Sequence, residues 1–237
     1  MRTLHYYLLL PASICTNGRW DDRIGAMANS ALRHPLLSGS VTALGLALLW
    51  LGYFLPWVPH RAAALSMGAY DLADWVTLLP QMQDGSRPVS GLHFLALLAV
   101  AVALTAGQAS RKGVRRWLLL PAGLGALMLL PAYPSIAWYR TDVDVQAQLG
   151  LLAATLLAAV AFWFWHSWRW FGLVQGVVTA VLGVRALCGF LLLRPVVGEL
   201  YGALPPIGPG WYVTLVACLL IFLSGAPSAV LRLLDRK

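Results

Sequence analysis

Six apolar stretches, uncharged but for one arginine and separated by polar or turn-forming segments, constrain this chain more than any other feature of its sequence. They run roughly 38–57, 91–108, 117–131, 145–165, 171–193 and 211–223. A bilayer core about 30 Å thick is crossed by about 20 apolar residues in a helix. In lipid every backbone polar group must be satisfied internally, so helices are the economical way to span it. The pattern predicts an all-α fold: a polytopic transmembrane helical bundle of about six spans, arranged as three hairpins.

Composition agrees. The chain has 237 residues, 59% hydrophobic and 11% charged, whereas soluble domains carry about 25% charged residues. The net charge of +8 is concentrated at the ends of the spans, so no nucleic acid partner is expected. Cys15, Cys188 and Cys218 share no metal-ligand spacing, and no metal site is predicted.

Direction follows from the densest run of charge, Arg111-Lys112-Gly113-Val114-Arg115-Arg116. Cations are retained on the cytoplasmic side of a membrane, so this basic loop lies inside. With six spans both termini are then cytoplasmic, in the plasma membrane. The cations left outside are Arg61, Arg87, Arg140 and Arg194.

Residues 1–36 read as an N-terminal tail, loosely ordered or an over-long start with Met27 as a second initiation point. Residues 37–237 read as a single transmembrane helical domain. In the first outer loop, Leu65, Ala69, Leu72, Val76 and Leu79 make an apolar stripe at helical spacing. They predict a short amphipathic surface helix, lying on the membrane or tucked into the bundle, with Asp71 as its cap and Asp74 three residues on. Pro80 ends it, and Asp84-Gly85-Ser86 is a turn. Small residues four apart offer close-packing faces: Ala99, Ala103 and Gly107; Gly150, Ala154 and Ala158; Gly172, Gly176, Ala180 and Gly183. The third span is short, with Pro121 near its start. The fifth is taken to stop before Pro195, leaving 194–210 as a loop that contains Glu199.

Arg185 is the sharpest candidate for chemistry. A cation within a span costs a few kcal/mol and marks a functional site by default, the alternative being an arginine that snorkels to the interface or is paired for structure alone. Its helix position is opposite Gly176, about 12 Å before the predicted end of the fifth span. Glu199, Asp71, Asp74, Asp142 and Asp144 are possible counter-charges. His60 and His93 lie near the outer ends of adjacent spans, where a histidine pair can hold a haem; no cofactor is otherwise predicted. The run Phe162 to Trp170 reads as an interfacial aromatic belt. No phosphate-cradling loop, metalloprotease or nucleophile-elbow motif is present, so no catalytic residue is assigned and the balance is against an enzyme. The leading functional expectation is an accessory or structural subunit of a membrane complex, its partners the lipid bilayer and other membrane subunits. A transporter or permease subunit with a polar site around Arg185 is the alternative. A haem-carrying or enzymatic membrane protein using His60 and His93 is a further one.

Overall fold

In the computed structural model the described residues are 35–60, 66–79, 89–109, 114–137, 139–165 and 170–234. The N-terminal tail to residue 34, Arg61, Leu65, Pro80, the Asp84-Gly85-Ser86 turn, Arg87, Arg111, Lys112, and residues 166–169 of the aromatic run lie outside them. The chain divides into two compact units, Met1–Ser38 and Gly39–Lys237. Of the first, only the start of a helix is described; the packed bundle belongs to the second.

The described residues are helical, with no strand among them and one isolated bridge, Val58 to Met67. The helices are α1 (Pro35–Phe54), α2 (Ala69–Leu78), α3 (Leu92–Ala109), α4 (Leu119–Met128), α5 (Tyr133–Ile136), α6 (Val143–Trp165), α7 (Phe171–Tyr201) and α8 (Pro209–Leu234). A 3₁₀ turn, Val114–Leu118, leads into α4. Three helical segments are long and apolar enough to cross a membrane: Leu92–Ala109, Val143–Phe164 and Phe171–Tyr201. Gly39–Phe54, Arg116–Met128 and Pro209–Gly225 are shorter apolar helical segments.

α3 is the central element, in contact with α2, α4, α6 and α7. It is apolar all round, and its residues from Phe94 to Thr105 are buried, as befits a helix enclosed on every side. α1 also reaches it: Trp50 Nε1 donates to Thr105 Oγ1 at 2.9 Å. α7 and α8 pack antiparallel through the small residues of α7. Gly172 meets Gly225, Gly176 meets Phe222 and Gly183 meets Cys218. α1 lies antiparallel to α8 as well, with Gly45 against Ile221 and Gly52 against Thr214. By contrast, Gly150 has nothing within 4 Å and Ala154 is exposed. That predicted face of α6 is open at Gly150 and Ala154 among the described residues, and half-buried at Ala158. α6 meets α3 instead through its other side, where Val145 and Thr155 are buried and Phe162 covers Gly107.

The end of the bundle opposite the basic loop is closed by a cap. Trp57 is completely buried, in edge contact with Phe94 of α3 and Phe190 of α7 at 5.9 and 5.5 Å between ring centroids. Its indole Nε1 donates to the Gly52 carbonyl at 2.9 Å, so the buried donor is satisfied. The backbone around it ties two connections together: Val58 and Met67 exchange N–H···O bonds. The Gly208 N–H donates to the Trp57 carbonyl at 2.8 Å.

Two predicted boundaries differ. The fifth span does not stop before Pro195: α7 continues through it to Tyr201 and ends on Gly202, in the left-handed conformation at φ 69°. Proline removes one helical hydrogen bond, but Val196 and Val197 beyond it are each only 2% exposed. Their packing keeps the helix going, and Glu199 is therefore a helical residue. Asp71 is not the cap of α2. Gly68 holds that position, and the Asp71 carboxylate, in the first turn, accepts the Gly68 N–H at 2.8 Å. This is the returning half of a capping box. Ala69, Leu72, Ala73 and Val76 are buried, so the helix is tucked against α3.

Candidate functional site

Where α2, the start of α3 and the start of α6 converge, a cavity of about 150 Å³ opens at the capped end. α2 contributes Asp74 and Thr77. Ser90 and Gly91 come from the approach to α3, and Asp144 and Gln148 from α6. Each is positioned by a local cause. Gly91 allows the two backbones to meet, since a Cβ there would collide with the Ala73 carbonyl oxygen. Asp142 caps α6, its Oδ1 accepting the N–H groups of Asp144 and Val145 at 2.9 and 3.3 Å. That cap sets Asp144 and Gln148, one turn apart, on the face that lines the cavity. The Gln148 amide also donates to the Leu129 carbonyl at 3.1 Å, which ties α6 to the end of α4.

Burial, and then the neighbouring Asp71 carboxylate, push the Asp74 carboxyl above its ordinary range. Tyr70 is raised likewise, by burial first and then by Asp74 and Asp71. Beneath them the Tyr53 hydroxyl is fully buried and has no hydrogen-bond partner among the described residues. An orphaned buried hydroxyl is uncommon in folded proteins. The chemistry available is hydrogen bonding and the attraction of a cationic or donor-rich group.

The other candidates go elsewhere. Arg185 is exposed on α7, opposite the glycines that face α8, on a stripe with Val181, Val184, Cys188 and Leu192. No ion pair holds it among the described residues, though it lies within electrostatic range of His93. With α7 extended to Tyr201, Arg185 is near the middle of its helix. Glu199 is exposed toward the far end of α7. His60 is exposed, with its ring 5.1 Å from that of Tyr201. His93 is half-buried: its Nδ1 accepts the Ser90 N–H at 3.2 Å and its ring edge packs on Gly189 of α7. The two histidines thus have separate surroundings. No group of three His, Cys, Asp or Glu side chains able to hold a metal occurs among the described residues. Arg116 is exposed at the opposite end of the bundle; of Arg115 only the backbone is described.

Asp74 was legible as part of the site, while Ser90, Thr77 and Gln148 were not. The signal for Gln148 was present: it follows Asp144 by four residues at the head of an apolar helix, the spacing that puts two polar side chains on one face. Comparison with protein-family models, with curated proteins and with solved structures finds no match for this chain.

Proposed function

We propose that the chain is a multi-pass plasma-membrane protein of six spans, with both termini cytoplasmic, serving as an accessory or structural subunit of a membrane complex. Three helices of membrane-crossing length and apolarity support the membrane location. The shorter apolar segments of α1, α4 and α8 complete the count. From Phe171 to Phe190, α7 rises about 28 Å, close to the ~30 Å hydrocarbon core. Phe190 meets Trp57 just beyond the end of α1, so the apolar slab reaches about that level.

The observation that carries the subunit reading is Arg185. It sits about 7 Å inside that level, exposed on a stripe of valine and leucine. A cation so placed needs a counter-charge or hydrogen-bond acceptors, and no ion pair within the described residues supplies one. A neighbouring membrane subunit bearing a carboxylate meets that need. Purified in mild detergent, the 25.7 kDa chain is expected to run in an assembly with a second polypeptide. Arg185→Leu is expected to release that polypeptide while leaving the chain folded. Purification of the wild-type chain alone, without a stoichiometric partner, overturns the reading.

The polar cavity at Asp74, Asp144 and Gln148 favours a second reading, a transport protein with a small solute site on the outer side. A solute recognised there is cationic or rich in hydrogen-bond donors. Uptake unchanged by Asp74→Ala with Asp144→Ala would remove that reading.

A further inference from the structure

At the basic-loop end a groove of about 170 Å³ opens between α1, α3 and α4. Ala43, Leu46 and Ala47 of α1 form one wall, and Leu118 and Pro121 at the start of α4 form another. Among the described residues, α4 is short and enters through a 3₁₀ turn, and it leaves this part of α1 and α3 uncovered. Its inner end is blocked by Trp50, whose indole is hydrogen-bonded to Thr105 and whose ring abuts Gly125 of α4. From Gly39 at the mouth to Trp50 at the stop, α1 rises about 16 Å.

The mouth is chemically different from the walls. Arg116 and Trp117 are exposed immediately before Leu118, and in sequence they come after Arg111, Lys112 and Arg115. Exposed tryptophan beside arginine marks the headgroup level of a membrane. Gln108, also at the mouth, has no hydrogen bond to its amide among the described residues. An apolar dead end reached through a cationic, donor-rich mouth is complementary to a molecule with an apolar tail and an anionic head. Basic pockets between membrane helices on the cytoplasmic side take such lipids.

We propose that the groove between α1, α3 and α4 holds one acyl chain of an anionic phospholipid, its phosphate at Arg116 and the tip of the chain against Trp50. The site rests on the membrane location alone, not on the subunit reading. Recovery of the chain in the membrane fraction is therefore checked first and separately.

The test is native mass spectrometry of the full chain released from bilayer discs that mix phosphatidylglycerol and phosphatidylcholine of identical acyl chains. Retention of phosphatidylglycerol in preference to phosphatidylcholine is expected. Each cation near an anionic headgroup is worth roughly fivefold. Arg116→Gln is thus expected to cut the preference about fivefold. Ala47→Phe, which fills the groove, is expected to abolish retention of either lipid while the helical circular dichroism stays unchanged; Ala43→Leu serves the same purpose if Ala47→Phe does not fold. Equal retention of the two lipids by the wild-type chain overturns the proposal. So does a preference for phosphatidylglycerol that survives both the charge removal and the filled groove.

Discussion

α3 and α6 are nearly indistinguishable in apolarity, with mean hydropathy 1.8 and 1.9, yet of the most apolar 18 residues of each, 78% are buried in the first and 6% in the second. Hydropathy measures only the preference of a segment for a non-aqueous phase, and lipid and protein interior satisfy it alike. What separates the two helices is shape. α3 carries Ala96, Ala99, Ala103 and Gly107 on one face and Ala101 on roughly the opposite one, so neighbours approach it closely from both sides. α6 turns Leu156, Leu157, Val160 and Phe164 outward and makes contact along one narrow face. Its Gly150 and Ala154, which resemble a packing motif, are open among the described residues. Small residues four apart permit close packing; a partner helix has to be there to use them.

Substitutions can break this contrast. The largest effect is expected at the cap over α3: Trp57→Ala removes a wholly buried ring and its hydrogen bond, costing about 3–5 kcal/mol. Unfolding in mixed micelles measures it, and a loss under about 1 kcal/mol would show that the cap does not anchor α3. Next, Ala101→Leu, where Ala101 is 1% exposed, overpacks the central helix and is expected to cost about 1–3 kcal/mol. Ala154→Leu on the open face of α6 should stay within about 0.5 kcal/mol. If the pair behaves alike, the difference in burial has no energetic meaning. Between these two, Thr105→Val leaves the Trp50 indole unpaired beside α3 for about 0.6 kcal/mol, the usual worth of a hydrogen bond between membrane helices.

The last prediction concerns pH and leaves the apolar helices untouched. The Asp74 carboxyl is raised above its ordinary value of 3.8, so its charged form is disfavoured in the folded state. Stability from this group therefore rises as pH falls through the folded value and is lost as pH climbs above it. Asp74→Asn should stabilise the chain slightly at neutral pH, and the advantage should disappear in acid as the wild-type carboxyl protonates. Thermal unfolding of both proteins at several pH values checks it; a constant difference between them would contradict the assignment.

Much of the site's surroundings was visible in sequence, for reasons that are local. The stripe Ala69, Leu72 and Val76 announced α2, and Asp71 and Asp74 placed carboxylates on it. The cavity itself was not visible, because its other wall comes from Asp144 and Gln148, some seventy residues away along the chain. Arg185 stood out from its own segment as a lone cation in an apolar helix. Its surroundings depended on which neighbours α7 acquired, and α8 took the glycine face.

Helical class and apolarity were determined by the sequence alone. Each is a property of twenty or fewer consecutive residues, read directly by the bilayer or by the backbone. Tertiary structure decided that α3 lies at the centre and α6 at the edge, that α7 runs through Pro195, and that Arg185 faces outward. Those outcomes rest on how the surfaces of distant segments fit together, and the fit of Gly183 to Cys218 or of Trp57 to Phe94 and Phe190 is a property of neither segment by itself.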